Sequence, residues 1–343
     1  MSTLERIQAR AARAILALPA PVLRRLAGPP VRRDGFTLDA QFQLVLRLNR
    51  MLGREKPAPS VEAARRGLEA SAAALAPEGA PLARVEDAVV AGRRARVYVP
   101  RGVAAPAPAL VYFHGGGWCV GSLDSHDAPC RVVAAEARAT VIAIDYRLAP
   151  EHPFPAAVDD ALAAFREIAA HPQRWGVDPA RLAVGGDSAG GNLAAIVAHE
   201  TRCDAVRPIV QWLVYPGVDM TMSHPSVESC ARGFLLDKAA MQHYIATYLR
   251  DHADLRDPRA SPLYAPSFAG LPRAVVATAG FDPLRDEGAA YAKALEAAGV
   301  PVVYRCYGPL IHGFLNTGGA IRAAREALSE ITADLARGLR SAP

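Results

Sequence analysis

The sequence predicts an α/β fold in which helices cover both faces of an eight-stranded, mostly parallel sheet. Short apolar runs, typical of buried strands, alternate along most of the chain with longer helical patterns. A Pro/Gly-rich segment at 76–81 separates this alternating region from an N-terminal part that contains helical patterns only. Ligands of such sheets bind at the carboxyl ends of the strands, so we expect the functional residues there.

The predicted sheet begins with an antiparallel hairpin and continues as parallel strands. Apolar runs at 85–90 and 95–99, joined through Gly92, predict the hairpin. Six further strands are predicted at 110–113, 141–145, 182–184, 209–215, 274–278 and 302–307. Helices at 154–170, 192–200 and 287–298 are predicted to cover the faces of this sheet.

The segment GDSAG at 186–190 places Ser188 between a strand pattern and a helix pattern. Its glycines permit a tight, strained turn that exposes the serine hydroxyl above a parallel sheet. The helix that follows directs free N–H groups and a positive dipole end at a negative oxygen beside the serine. A glycine-rich turn can also carry a serine by chance, so this motif predicts a nucleophile only together with suitable partners.

A second glycine-rich loop, HGGGW at 114–118, follows the strand pattern 110–113. Its glycines leave several backbone N–H groups free to point at one spot, as an oxyanion hole requires. A phosphate-binding loop would instead open a helix with a GxxxxGK[ST] or GxGxxG pattern, which is absent here. His114 precedes the serine in the chain, so we expect it to order the loop by hydrogen bonding and not to act as the base.

A serine hydroxyl needs an adjacent base, and the base needs an orienting carboxylate. Asp282, Asp286 and Glu287 follow one strand pattern, and His312 follows the last one. The order serine, acid, histidine, each past its own strand, is that of α/β-hydrolases.

Asp282 is favoured over the other two acids by its local position. It directly follows the strand and precedes Pro283, which favours an extended loop at the carboxyl edge of the sheet. Asp286 and Glu287 are predicted in the first turn of the next helix, where carboxylates are favoured by the helix dipole without any catalytic role.

Together these motifs resemble the bacterial hormone-sensitive-lipase family of esterases, in the branch whose serine segment reads GDSAG. The resemblance extends over residues 97–313. The matching segments are HGGGW at 114–118, DYRLAPE at 145–151, GDSAGGNL at 186–193, DPLRDE at 282–287 and HGF at 312–314. The resemblance implies an α/β-hydrolase fold with a helical cap over the mouth of the active site.

The resemblance also implies a role for each matching residue. Ser188 is the nucleophile, His312 the general base and then acid, and Asp282 the residue that orients it. The backbone N–H groups of Gly116, Gly117 and Ala189 form the oxyanion hole. The implied activity is cofactor-free hydrolysis of short- to medium-chain acyl esters through an acyl-enzyme. An acyltransferase with the same residues, or a non-enzymatic ligand receptor on this fold, remains the alternative.

We expect residues 1–80 to form a helical cap and its linker, and residues 81–343 the catalytic domain, with 217–266 contributing to the cap. The N-terminal helices are predicted by three patterns: Leu4, Ile7, Ala11, Ile15 and Leu18; Leu38, Phe42, Val45 and Leu46; and the stretch 61–75. The 217–266 segment carries the long apolar residues Met220, Met222, Phe234, Leu235, Leu236, Met241, Tyr244 and Tyr248 among others. Most are expected to pack in the interior and a few to line the pocket, with Phe234 and Leu235 as candidates.

Composition limits the other classes of function. The net charge is +5, from 39 Lys and Arg against 34 Asp and Glu, and it is spread along the chain, so no nucleic-acid-binding face is predicted. The histidines show no zinc-ligand spacing, and we expect no metal and no cofactor. The five cysteines form no CxxC motif and are odd in number, which argues against a disulfide framework and for the cytoplasm.

The N-terminal helical patterns leave one membrane question open. The apolar stretch 14–23 is short, is broken by Pro19 and Pro21, and is followed by Arg24 and Arg25. We therefore expect neither a signal peptide nor a transmembrane helix, and no stable membrane insertion. Attachment to a membrane surface is the competing use of the same amphipathic pattern. The expected partner is a small-molecule ester, and the oligomeric state is left open.

Overall fold

The computed structural model describes residues 3–53, 60–77, 79–250 and 254–340. Within these ranges the helices are α1 (Thr3–Leu16), α2 (Ala20–Ala27), α3 (Ala40–Met51), α4 (Val61–Leu75), α5 (Asp127–Ala137), α6 (Ala156–Ala170), α7 (Pro172–Trp175), α8 (Ala189–Glu200), α9 (Pro225–Ser229), α10 (Lys238–Leu249), α11 (Arg285–Ala297) and α12 (Arg322–Arg340). The strands are β1 (Arg32–Arg33), β2 (Phe36–Thr37), β3 (Arg84–Val90), β4 (Arg93–Val99), β5 (Ala107–Phe113), β6 (Thr140–Ile144), β7 (Val177–Asp187), β8 (Val210–Val214), β9 (Arg273–Phe281) and β10 (Val302–Ile311).

Strands β3 to β10 form one eight-stranded sheet in the order β3-β4-β6-β5-β7-β8-β9-β10. The pairs β3–β4 and β4–β6 are antiparallel, and every later pair in this order is parallel. The predicted α/β fold with an eight-stranded, mostly parallel sheet is therefore confirmed. The short β1–β2 pair was not predicted, because two-residue strands leave no hydrophobic period in the sequence.

The central strands are buried on both faces, which explains their continuous apolar runs. Every residue of β6 and of β8 is buried. On one face α6 and α8 contact each other and contribute Phe165 and Ile196 to a core cluster. On the other face α5 and α12 are in contact and contribute Val133 and Leu335 to a second cluster.

The predicted helices differ from the observed ones mainly at their ends. Helix α8 begins at Ala189, three residues before the predicted start, because the turn after β7 passes directly into the helix. Helices α6 and α11 begin within two residues of their predicted starts. Helix α12 was not predicted, although it anchors the sheet through its Ile331 carbonyl, which accepts a hydrogen bond from Trp212 Nε1 at 3.0 Å.

Helices α3 and α4 of the N-terminal part begin with side-chain caps. Asp39 accepts hydrogen bonds from the backbone N–H groups of Gln41 and Phe42 at the start of α3, and Ser60 caps α4 in the same way. The Gln41 side chain also donates to the carbonyl of Ala320 at 3.0 Å, which joins α3 to the segment before α12. The side chains of the predicted apolar positions Leu4 and Ile7 lie outside the described residues.

None of the described helices combines the length and the apolar character that a bilayer crossing needs.

Candidate active site

Ser188 lies in the tight turn between β7 and α8, with a backbone φ of 54° and ψ of −120°. This positive φ is rare for a residue with a side chain, and neighbouring contacts hold it. The Ser188 N–H donates to the carbonyl of Val214 at 2.8 Å. A Cβ atom on either Gly186 or Gly190 would overlap the carbonyl oxygen of Phe113, so the close approach of β5 requires glycine at both positions.

The structure brings Ser188, His312 and Asp282 into one hydrogen-bonded chain. His312 Nε2 lies 2.9 Å from Ser188 Oγ, and His312 Nδ1 lies 2.8 Å from Asp282 Oδ2. Asp282 is fully buried, and its Oδ1 accepts the N–H of Leu284 at 2.8 Å. Because one ring nitrogen faces a carboxylate, that nitrogen carries the proton and the other presents its lone pair to the serine hydroxyl.

Asp286 and Glu287 occupy the first turn of α11, as predicted. Asp286 pairs with Arg285 at 2.8 Å and accepts the N–H of Ser226 at 2.9 Å. Glu287 is buried and accepts backbone N–H groups from the loop after β8, which its position in a helix turn did not indicate. In the described part of the chain, neither of these carboxylates forms a hydrogen bond with His312.

The glycine loop after β5 adopts a conformation that only glycine takes readily. Gly116 has a φ of +129° and Gly117 a φ of +57°. A Cβ atom on Gly117 would lie 2.5 Å from the ring of Tyr244 on α10. Among the described residues, the backbone N–H groups of Gly116, Gly117 and Ala189 have no hydrogen-bond acceptor. Two of these free donors, on Gly116 and Gly117, come from the loop after β5, and the third, on Ala189, opens helix α8 directly after Ser188.

Asp187, the residue before the serine, ties the two glycine-containing turns together. Its Oδ1 accepts from Tyr112 Oη at 2.6 Å and from the Gly115 N–H at 2.8 Å, and lies 3.4 Å from His126 Nε2. Although burial alone would raise the pKa of Asp187, His126 and these hydrogen bonds lower it to about 2. An acid at the end of an apolar strand was the only sequence signal for this network, since the partners come from distant segments.

His114 is buried under the glycine loop and orders it, as expected. Its Nδ1 lies 2.9 Å from the Gly115 carbonyl, and its ring stacks on Tyr146 with 4.4 Å between the ring centroids. Burial, with a smaller contribution from His126, lowers the pKa of His114 to about 4. The imidazole is therefore neutral near pH 7.

A cavity of about 430 Å³ opens beside Ser188 and His312, with Gly116 and Gly117 in its wall. Most of its wall is apolar, which is typical of a site for a small organic ligand. Helices α3 and α4 contribute the following apolar side chains: Phe42, Val45, Leu46, Leu68, Ala72 and Leu75.

Five of the eight long apolar residues that the sequence analysis names in the 217–266 segment line this cavity, more than the few that we expected. They are Met220, Leu235, Leu236, Met241 and Tyr244. Leu235 was a correct candidate and Phe234 was not. Phe234 packs on Phe281 with a ring distance of 5.0 Å, and Tyr248 stacks on Trp118 at 4.6 Å. Leu235 and Phe234 lie in a loop without a helical period, and the helical spacing of Met241 and Tyr244 on α10 fits interior packing as well as pocket lining, so the sequence does not settle these orientations.

The described residues contain no group of three or more His, Cys, Asp or Glu side chains placed to hold a metal ion. Cys119 is buried, and burial raises the pKa of its thiol to about 12. A thiol in this state is a poor nucleophile.

Comparison with known proteins gives several extensive matches. A family model described as alpha/beta hydrolase fold matches residues 110–316. The carboxylic ester hydrolase LipN of Mycobacterium tuberculosis is 45% identical over 339 residues, which covers 93% of this chain and 89% of LipN. An ethyl acetate hydrolase of Pseudomonas putida is 38% identical over 302 residues, covering 85% of this chain and 95% of that protein.

Solved structures agree with these matches. The ester-hydrolase EH1AB1 from the metagenome of Lake Arreo, solved with a derivative of bipyridine phosphonate, has a TM-score of 0.84 and 40% identity, covering 88% of this chain and 98% of that chain. An esterase of the archaeon Pyrobaculum calidifontis has a TM-score of 0.79 and 39% identity, covering 86% and 97% respectively. The chain therefore belongs to the alpha/beta hydrolase fold family, and within it to the group of bacterial hormone-sensitive-lipase-like esterases that its sequence motifs resemble.

Proposed function

We propose that this protein is a cofactor-free carboxylesterase that hydrolyses short- to medium-chain acyl esters through an acyl-enzyme on Ser188. The observation that carries the proposal is the 2.9 Å contact between Ser188 Oγ and His312 Nε2 at the wall of an apolar cavity. The curated relatives are named as ester hydrolases, which supports the same reaction class.

In the first half of the reaction, Ser188 Oγ attacks the ester carbonyl while His312 Nε2 takes its proton. Asp282 holds the proton on Nδ1 and stabilises the imidazolium that forms. The carbonyl oxygen becomes an oxyanion, which the free N–H groups of Gly116, Gly117 and Ala189 bind. His312 then gives its proton to the alcohol oxygen, and the alcohol leaves.

In the second half, water replaces the alcohol. His312 takes a proton from this water, whose oxygen attacks the acyl carbonyl, and the acid leaves when Ser188 Oγ is reprotonated. No electrons are transferred in this sequence, so the reaction needs no redox cofactor. We expect ping-pong kinetics and, where deacylation is slow, a burst of alcohol.

The size and lining of the cavity support short to medium acyl groups. The cavity has a volume of about 430 Å³ and lies between helices α3, α4 and α10 and the strand-end loops. We propose that residues 1–80 and the 217–266 segment act as a cap over the catalytic residues of 81–343. The substrate is then a small molecule, with no role for nucleic acid or for a stably inserted membrane segment.

The proposed location is the cytoplasm. Cys119, Cys130 and Cys230 are buried and free. Unpaired buried thiols suit a reducing compartment. Fractionation of the native host, with activity assayed in each fraction, tests this location.

Hydrolysis of chromogenic esters from acetyl to palmitoyl tests the proposal. The wild-type protein is compared with Ser188→Ala, and circular dichroism checks the fold of both. We expect turnover with an optimum at short to medium chains in the wild type and none above background in the variant. Equal turnover by both proteins would contradict the proposal. Transfer of the acyl group to an added alcohol in preference to water would point to an acyltransferase.

A further inference from the structure

Exposed large apolar side chains are concentrated in the proposed cap. Ten such side chains are exposed among the described residues, and eight of them lie in the segments 1–80 and 217–266. Single exposed apolar residues are common on protein surfaces, but their concentration in one part of the chain indicates an interaction surface. Six of them are here called the apolar surface: Val22, Leu26, Leu48, Met51, Leu52 and Leu235.

Three neighbouring segments carry the apolar surface. Helices α2 and α3 are in contact, and Arg47 Nη1 of α3 donates to the Leu26 carbonyl of α2 at 3.2 Å. A Cβ atom on Gly233 would lie 3.8 Å from Arg50 Nη2, which places the loop that carries Leu235 beside the end of α3. The six side chains therefore come from segments that adjoin one another.

The apolar surface also adjoins the cavity. Val45 and Asn49 of α3 line the cavity, whereas Met51 and Leu52 at the end of the same helix do not line it and are 72% and 62% exposed. Leu235 belongs to both surfaces, because it lines the cavity and is 64% exposed. A partner bound to the apolar surface would therefore lie beside the cavity.

The part of the chain that carries most of this surface is strongly positive. Residues 1–53 contain nine Arg and no Lys but only three acids, which gives a net charge of +6 and leaves −1 for the other 290 residues. The acids are Glu5, Asp34 and Asp39. Asp34 pairs with Arg285 of α11 at 2.9 Å, and Asp39 caps α3. The arginines are spread along the whole chain, but here few acids oppose them.

The arginines beside the apolar surface are not neutralised locally. Arg24 and Arg25 lie between Val22 and Leu26 on α2, are exposed, and form no side-chain hydrogen bond or ion pair within the described part of the chain. Arg47 is exposed, and its recorded partner is a backbone carbonyl. Apolar side chains interspersed with arginines are typical of helices that lie on a membrane surface, where anionic headgroups supply the opposite charge.

We propose that the apolar surface, together with Arg24, Arg25 and Arg47, binds the face of a bilayer that contains anionic lipids. The contact is peripheral: the arginines lie at the headgroups and the apolar side chains enter the boundary with the acyl chains. A purely anionic ligand would leave Met51 and Leu52 in water, whereas a bilayer covers both kinds of side chain. Binding places the cavity beside the bilayer and does not depend on the proposed esterase function.

Sedimentation of the full chain with lipid vesicles tests the inference. One set of vesicles contains phosphatidylcholine alone, and the other contains equal parts of phosphatidylcholine and phosphatidylglycerol. The wild type is compared with the double variant Arg24→Gln, Arg25→Gln and with the double variant Met51→Gln, Leu52→Gln. All four side chains are exposed and none lines the cavity around Ser188.

Two control pairs make the same kinds of change outside the apolar surface. Arg138→Gln with Arg207→Gln removes two exposed arginines whose recorded partners are backbone carbonyls. Val89→Gln with Leu255→Gln removes two exposed apolar side chains. Both control pairs should bind vesicles as the wild type does.

We expect the wild type to bind the vesicles with phosphatidylglycerol and to bind phosphatidylcholine alone much more weakly. The loss of Arg24 and Arg25 should lower the vesicle partition coefficient about thirtyfold. The loss of Met51 and Leu52 should lower it about tenfold. Added salt should weaken the binding, because ions screen exposed charges.

Three results would overturn the inference: no wild-type binding to the vesicles with phosphatidylglycerol, equal binding to both compositions, or wild-type binding by either double variant of the apolar surface. Self-association that the change of Met51 and Leu52 abolishes, without vesicle binding, would also overturn it and would identify a second copy of the chain as the occupant. Hydrolysis of a soluble acetyl ester should be the same in all variants and checks their fold. If the wild type does not hydrolyse this ester, the esterase proposal fails while the vesicle result stands.

Discussion

The strand-end loops and the helical cover of the cavity are built in different ways. The loops after β5, β7, β9 and β10 carry short motifs whose residues are buried or tied by hydrogen bonds, such as Asp282 and the turn at Ser188. The cover uses apolar side chains of α3, α4 and α10, which come from separate parts of the chain. Local backbone geometry therefore positions the proposed catalytic residues, whereas the fit of the substrate depends on tertiary packing.

The largest effect is expected from the carboxylate that contacts His312. Asp282→Asn should lower kcat about 10⁴-fold, because the amide favours the wrong imidazole tautomer and does not stabilise the imidazolium. The measurement is steady-state hydrolysis of a good chromogenic ester. Asp286→Asn is the matched control, since Asp286 pairs with Arg285 and not with His312. A comparable loss in Asp286→Asn, with Asp282→Asn active, would reverse the assignment of the acid.

The next effect lies where the cover touches the loops. Gly117→Ala should lower kcat about 10²-fold, because the new methyl group meets Tyr244 and shifts the N–H donors from the reacting oxygen. The double variant Gly117→Ala with Tyr244→Ala should recover part of this loss. Kinetics of the two single variants and the double variant form the test. Strictly additive losses would show that Tyr244 does not constrain the loop.

The sequence alone brings the proposed reacting residues to one edge of the sheet. The chain order of Ser188, the acids and His312, with the glycine loop, is enough for this, because each motif follows its own strand. The position of Asp282 directly after β9 favours it over Asp286 and Glu287, and its 2.8 Å contact with His312 agrees with that choice.

Other features depend on tertiary contacts and were missed. The burial of Glu287 requires the loop after β8 to fold over α11, and the partners of Asp187 come from β5 and from the segment around His126. Neither contact has a period or a motif in the sequence. The number of cavity-lining residues in the 217–266 segment was likewise underestimated, since helical spacing on α10 does not say whether a face meets the interior or the cavity, and the loop positions give no face to assign.

A smaller effect is expected in the pH dependence of the free energy of unfolding, through His114 under the glycine loop. The pKa of His114 is about 4 in the folded protein, against about 6.5 for an unperturbed imidazole. Between these values the unfolded chain binds a proton that the folded protein does not, so the stability is complete above pH 6.5 and decreases as the pH falls towards 4. Through His114, the free energy of unfolding is about 2 kcal/mol lower at pH 5 than at neutral pH.

His114→Gln should therefore flatten the pH dependence of the free energy of unfolding between pH 7 and pH 5. Urea denaturation at several pH values measures it. His152→Gln, at an exposed position, is the control and should leave the slope as in the wild type. An unchanged slope in His114→Gln would contradict the neutral, buried state of this ring.

The smallest effect concerns the cover alone. Leu68 on α4 lines the cavity. Leu68→Trp fills part of this space and should reduce the ratio of kcat/KM for octanoyl over acetyl esters about tenfold. Leu68→Ala should change the ratio in the opposite direction. Equal changes for short and long esters would indicate that α4 acts on the loops and not on the fit of the acyl chain.

The proposed covalent intermediate on Ser188 is observable by mass spectrometry after rapid acid quench, with an ester whose deacylation is slow. We expect the peptide containing Ser188 to gain the mass of one acyl group within the burst phase, and Ser188→Ala to gain none. Hydrolysis by the wild type with no acylated peptide, or with the acyl group on another residue, would contradict it.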